Sequence, residues 1–185
     1  MRIRAATDGD LANILAIHRA AFSDEPVADL TAALLCDPST QPITSLLAWV
    51  DDTPVGHILF TAAHLQPETP HQISILAPLA VVPEWQRRGI GRSLITEGLA
   101  LLALSGVSVV FVLGHPSYYP RFGFMPAGEL GFAAPYPLSA KHQTAWMLRQ
   151  LKGELPQSYV GRVRCAKTLE QPDYWPQSLE GEQLG

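Results

Sequence analysis

Residues 86–92 read Gln-Arg-Arg-Gly-Ile-Gly-Arg, a basic turn punctuated by two glycines. Such a turn suits an anion. Gly89 and Gly91 lack the side chains that would hold a phosphate away from the backbone. Arg87, Arg88 and Arg92 surround it with positive charge. Apolar residues 79–82 precede the turn as a strand end, and Pro83, with no N–H for a ladder, stops that strand. Residues 90–104 follow with helical apolar spacing. The first N–H groups of a helix have no intrahelical partner and sit at the positive end of its dipole. Strand, turn and helix start therefore make a diphosphate cradle.

Spacing argues against two common occupants. A P-loop needs Lys-Ser/Thr after its last glycine, but Gly91 is followed by Arg92-Ser93. A dinucleotide fingerprint needs a third glycine and an acidic residue about 20 positions on, and both are missing. Cys36 and Cys165 show neither CxxC nor framework spacing, so they read as reduced thiols. Neither has a His/Asn pattern that fits an acyl-cysteine route. No His/Cys cluster points to a metal.

The elements that must position the turn follow from periodicity. Residues 1–6 alternate as an edge strand. Residues 7–10 offer helix caps, and apolar residues recur at helical spacing to Phe22. Pro26 suits the first turn of a second helix, which Asp37-Pro38 ends. Residues 44–50 and 55–64 read as a hairpin around Asp51-Asp52-Thr53-Pro54. Residues 73–82 form the strand before the turn. Pro78 inside it implies a bulge, a local loss of pairing or an ordinary edge irregularity. The near-continuous apolar run 107–113 is a buried strand, and strand–helix–strand implies a parallel pair with a right-handed crossover. Residues 117–121 have room for a short helix only, and Phe122-Gly123-Phe124 leads into another strand. Residues 128–139 read as a loop, residues 144–151 as a strand, and residues 160–166 as a last short strand. Residues 168–185 are polar and read as a loosely packed tail.

The turn has a companion. Gln/Arg-x-x-Gly-x-Gly after a Val-x-Pro strand end resembles the first motif of the GCN5-related N-acetyltransferases, the GNAT superfamily. Tyr119-Pro120-Arg121-Phe122-Gly123-Phe124 resembles that family's Tyr-x-x-x-Gly-Phe, just after the next strand. The order of elements over residues 1–151 fits the family, and the wording of residues 114–124 resembles a broad bacterial branch of it. The resemblance implies an α/β (α+β) fold: a mixed, mostly antiparallel sheet with a splayed parallel pair and helices on both faces. Residues 1–151 would be the acetyltransferase domain, and 152–185 a C-terminal extension.

It also implies roles. Acetyl-CoA would be the cosubstrate, without a metal. Leu79, Ala80 and Val81 would meet the pantetheine arm through backbone groups, with the Val81 N–H on the thioester carbonyl. Arg87, Arg88, Gly89, Ile90, Gly91 and Arg92 would hold the pyrophosphate, the arginine side chains either reaching the 3′-phosphate or staying solvated. Tyr119 would protonate the leaving thiolate, with Tyr118 as packing or cofactor contact. Direct attack needs a neutral amine, so something must take its proton. Candidates are His115, then Glu25, Asp24, His57 and His64, while Glu84 reads as solvent-facing. The implied activity is transfer of acetyl to an amine of a small molecule or peptide. A non-catalytic acyl-CoA sensor is the alternative.

Composition agrees. The 185 residues are 47% hydrophobic and 16% charged, enough for a full core. A net charge of −4 argues against general nucleic-acid binding. No signal peptide or spanning segment is visible, so the expectation is a cytoplasmic protein without membrane contact. Residues 160–166, with Tyr174 and Trp175, would bury against their own domain or against a second copy, which leaves a homodimer open.

Overall fold

The computed structural model describes residues 1–22, 26–153 and 159–176. Strand β1 (Arg2–Ala5) is followed by helices α1 (Leu11–Ala21) and α2 (Val27–Cys36). Strands β2 (Thr44–Val50), β3 (Thr53–Gln66) and β4 (Gln72–Val81) form an antiparallel meander, with β1 on its outer edge. Helix α3 (Ile90–Leu104) then crosses over to β5 (Val107–Leu113), which pairs with β4 in parallel. Short β6 (Met125–Pro126) and longer β8 (Trp146–Gln150) complete the main sheet in antiparallel fashion. β7 (Phe132–Ala133) and β9 (Gly161–Arg164) pair with each other, and β9 also pairs with the far end of β3.

Strand alternation sorts the core into two layers. Ile58 and Phe60 of β3, with Val110 and Val112 of β5, face α3 and meet Ile90, Leu94, Ile95 and Leu99. Leu59, Val109 and Phe111 face the other way, toward Leu34 of α2 and the C-terminal segment. Burial on both faces is why residues 107–113 read as an unbroken apolar run. On that second face Ile14 and Ile17 of α1 pack on Leu47 and Ala80.

The β4–β5 pair opens at one end. Its register runs from Gln72↔Val107 to Leu76↔Val112 and stops there, while β4 continues to Val81. On its other side the β3–β4 register shifts between Ile58↔Leu79 and Phe60↔Leu76, so Ala77 and Pro78 bulge opposite Leu59. Proline has no ladder donor, and the strand bulges where it stands.

The C-terminal half differs from its expectation. The stretch 128–139 is not all loop, because Phe132 and Ala133 pair with Gly161 and Arg162. Phe132 anchors that pairing against Phe111, with ring centroids 5.6 Å apart. The expected loose tail from Thr168 is packed as far as Pro176. Leu169 and Trp175 are buried, and Trp175 meets the Trp146 ring at 5.7 Å. Asp37 also accepts from the Thr168 N–H at 2.9 Å. These are contacts between distant residues, which local composition does not encode. Residues 177–185 lie outside the described residues.

Candidate functional site

Two backbone faces of β4 do different work at the open end. The Val82 N–H donates to the Val55 carbonyl at 3.0 Å. Antiparallel alternation then makes His57↔Ala80 a hydrogen-bonded pair and Gly56↔Val81 a non-bonded one. The Ala80 carbonyl lies 3.2 Å from where a Cβ on Gly56 would stand, on the β3 side. Leu79 and Val81 therefore turn their N–H and C=O groups toward the opening left by β5. The Val81 carbonyl accepts from Gln86 Nε2 at 3.0 Å. Of the three strand residues expected to offer backbone groups, Ala80 is committed to β3, and its side chain is buried beneath α1.

The turn behind β4 is shaped by backbone conformation. Arg87 has φ 57° and Gly89 has φ 85°. A Cβ on Gly89 would meet nothing within 4 Å, so the left-handed conformation, not crowding, asks for glycine there. The Ser93 N–H returns to the Gly89 carbonyl at 3.0 Å. The N–H groups of Ile90, Gly91 and Arg92 form the head of α3. Arg87 and Arg92 line the cleft in front of this head, together with Gly89, Ile90 and Gly91. Arg88 does not line it. Its guanidinium lies over the Trp85 ring at 4.8 Å.

Opposite stands the turn after β5. Tyr119 begins a 3-10 turn, Tyr119–Phe122, whose last carbonyl is held by the Arg149 guanidinium. Tyr119 is 8% exposed and packs edge-on against Tyr118 and Phe124. Its ring fills the space that a side chain on Gly114 would need. Burial, with a smaller contribution from Tyr118, pushes the Tyr119 phenol well above its ordinary value, so it stays protonated at neutral pH. Burial also raises Tyr118, against the opposing pull of Arg121. The Tyr118 hydroxyl comes 2.8 Å from where a Cβ on Gly91 would stand. That closeness ties the two glycine-bearing turns together.

Two cavities meet here. The cleft before α3 has a volume of about 750 Å³, and a second cavity of about 600 Å³ lies on the α1–α2 side of the opening. Leu79, His115 and Tyr119 line both, so they form the wall where one passes into the other. A further cavity of about 590 Å³, around Phe132 and Tyr136, shares none of these residues.

The remaining basic and acidic candidates separate clearly. His115 is exposed and stands in the shared wall. His57 is buried beneath α1, with Nδ1 2.8 Å from His18 Nε2 and Nε2 2.9 Å from Ser45 Oγ. It lines neither cavity. Burial lowers His18 to about 4, and burial with the neighbouring His18 lowers His57 to about 3, so this pair is neutral at pH 7. His64 is exposed on the stretch of β3 that pairs with β9. Glu84 is exposed. Asp24 and Glu25 lie outside the described residues. Among the described residues no group of three His, Cys, Asp or Glu could hold a metal ion, and no helix is long and apolar enough to cross a membrane.

Sequence reasoning missed Gly114, Gln86 as a side-chain donor, and the residues of the second cavity, which include Lys141 and His142. None carries a local periodicity signal. Gly114 stood within the stretch 114–124 but without a role.

Comparison with known proteins bears on family and fold. Residues 2–127 match the family model of the acetyltransferase (GNAT) domain. The chain is 46% identical over 159 residues to the uncharacterized N-acetyltransferase YjhQ of Escherichia coli (strain K12), covering 85% of this chain and 87% of that one. The crystal structure of the GNAT family N-acetyltransferase YhbS from Escherichia coli, in complex with CoA, superposes with a TM-score of 0.82 at 26% identity, covering 92% of each chain. A GNAT family acetyltransferase from Brucella melitensis, in complex with acetyl-CoA, gives a TM-score of 0.70 at 26% identity over 91% of this chain and 97% of that one.

Proposed function

The chain belongs to the GNAT acetyltransferase family, and we propose on that premise that it moves an acetyl group from acetyl-CoA to an amine of a small molecule or peptide by direct attack in a ternary complex. The observation that carries this is the meeting of two cavities at Leu79, His115 and Tyr119. A transferase needs two substrates to touch at one wall. A sensor of acyl-CoA would need only the first cavity.

The residues present fit the cofactor. The amides heading α3, Gly89 in its left-handed conformation and the flanking Arg87 and Arg92 suit a pyrophosphate. The outward-turned groups of Leu79 and Val81 suit an arm that pairs as a strand does, with the Val81 N–H directed at the developing oxyanion. Bound there, the thioester supplies an activated acetyl carbonyl. Tyr119 holds its proton through neutral pH and gives it to the departing thiolate. His115, in the shared wall, takes the proton lost by the amine.

Tyr119→Phe tests this reading. Turnover, followed as thiol release, should fall about 10²-fold, as for loss of one general acid. Acetyl-CoA affinity by calorimetry should be largely kept. Unchanged turnover removes Tyr119 from the mechanism.

A further inference from the structure

The turn after β5 reaches across the cleft to α3. Its Tyr118 and Arg121 line the same cleft as Arg87 and Arg92. The Tyr118 hydroxyl stands 2.8 Å from where a Cβ on Gly91, in the first turn of α3, would be. That same point lies 3.8 Å from Val81 Cγ2 and 4.0 Å from Leu79 Cδ2. The hydroxyl therefore sits where the open end of β4 meets the head of α3.

The turn that carries it is held from behind. The Arg149 guanidinium donates to the Phe122 carbonyl, and the Gly123 N–H donates to the Pro120 carbonyl at 3.0 Å. The Tyr118 ring meets the rings of Tyr119 and Phe122 edge-on, each at a centroid distance of 5.3 Å. A ring fixed in this way presents its hydroxyl at one place with little left to order on binding. Burial keeps the phenol protonated at neutral pH, so it can donate. The Arg121 guanidinium lies 6.0 Å from the same ring. Arg121 thus brings to the cleft a charge that Arg88, drawn onto Trp85, does not.

The amides heading α3 address an anion from one side only. A diphosphate carries more oxygens than one helix head can satisfy, and those turned toward β5 need donors of their own. A neutral phenol and a guanidinium are the donors that phosphate oxygens hold most strongly when charge assists the bond. Resting on the cofactor assignment above, we propose that Tyr118 and Arg121 form the second wall of the diphosphate site. The Tyr118 hydroxyl donates to a phosphate oxygen beside Gly91, and the Arg121 guanidinium pairs with the same diphosphate. Residue 91 is then glycine because the tyrosine hydroxyl occupies the space of its Cβ.

The test is calorimetry on the full chain with acetyl-CoA and with acetyl-dephospho-CoA, which keeps the diphosphate and lacks the 3′-phosphate. Tyr118→Phe should raise Kd about 10-fold or more, by the same factor for both ligands. Arg121→Gln, at an exposed position, should raise Kd about 5-fold for both. That loss should shrink as salt rises from about 0.05 M to about 0.5 M. Gly91→Ala should match Tyr118→Phe, because its methyl displaces the hydroxyl. In the Tyr118→Phe background the nearest neighbours of that methyl are 3.8 Å and 4.0 Å away, so it should add no further loss. Circular dichroism confirms that each variant folds. Unchanged affinity in Tyr118→Phe overturns the inference. So does an Arg121→Gln loss seen with acetyl-CoA alone, or a double variant that multiplies the two losses. None of these outcomes touches the transferase reading, which turnover of Tyr119→Phe decides separately.

Discussion

Gly114 is the sharpest place to perturb the site without touching a reacting group. Its backbone lies outside the left-handed region, and its N–H donates to the Ala145 carbonyl at 2.9 Å. Alanine is therefore compatible with its conformation, and only the added methyl matters. That methyl would stand 2.7 Å from Cδ2 and 3.2 Å from Cζ of Tyr119, and nearer still to Cε2. Ordinary contact begins at 3.4 Å, so the ring must retreat by about 1 Å. The ring is enclosed by Tyr118 and Phe124, so it takes its hydroxyl with it. A misplacement of this size costs about 10²-fold in rate, or about 2.7 kcal/mol of barrier. Overpacking should also lower stability by about 1–3 kcal/mol, a shift of roughly 2–12 °C in Tm for a chain of this size. Assays at 25 °C, with circular dichroism to confirm folding, separate the two effects. Thiol release measures kcat, and calorimetry with acetyl-CoA measures binding, which should change little. Gly114→Ala and Tyr119→Phe should also fail to add, because both remove the same proton donor. Wild-type turnover in Gly114→Ala, or a double mutant that multiplies the two losses, refutes the placement of Tyr119 as acid.

Three further outcomes are expected. Gly89→Val forces a β-branched residue to φ 85°, so acetyl-CoA Kd by calorimetry should rise at least about 10-fold, and retained affinity would contradict the cradle. The neutral His18–His57 pair ties stability to pH. Both folded values are depressed below the unfolded 6.5, so the pair's stabilisation is present above that value and lost as pH falls toward about 4 and about 3. Each imidazole contributes a slope of up to about 1.4 kcal/mol per pH unit, and the urea midpoint should drop between pH 7.5 and pH 5. Asp10 and Asp37 are held low by hydrogen bonds, from Arg4 and from Ser39 first, so their loss belongs to a separate window below 3.8. A flat midpoint from pH 7.5 to 5 would count against the buried neutral pair. Trp175→Ala removes a ring buried against Trp146 and should cost about 3–5 kcal/mol, visible as a Tm lower by roughly 6–20 °C. An unchanged Tm would show that the segment does not pack as described.

Features that depend on neighbours along the chain are legible in the residues before any fold is known. Helical spacing between Pro83 and Ser105-Gly106 marks α3, and the apolar run that follows marks β5. Pro78 announces a break in β4, and the glycines among the arginines announce a tight turn before α3. These are statements about local conformation, where period, a missing N–H or a missing Cβ acts within a few residues. Tertiary structure alone decided which of Leu79, Ala80 and Val81 face the opening, because that depends on register against β3. It placed Arg88 on Trp85 and away from the cleft, sank His57 beneath α1, and seated Tyr119 against Gly114. It drew Trp175 onto Trp146 and enclosed a second cavity between Phe22, α2 and the opened strands. Each of these is a contact between residues distant in the chain. Such contacts are selected by how the whole sheet buries its two faces, and no local pattern records that choice.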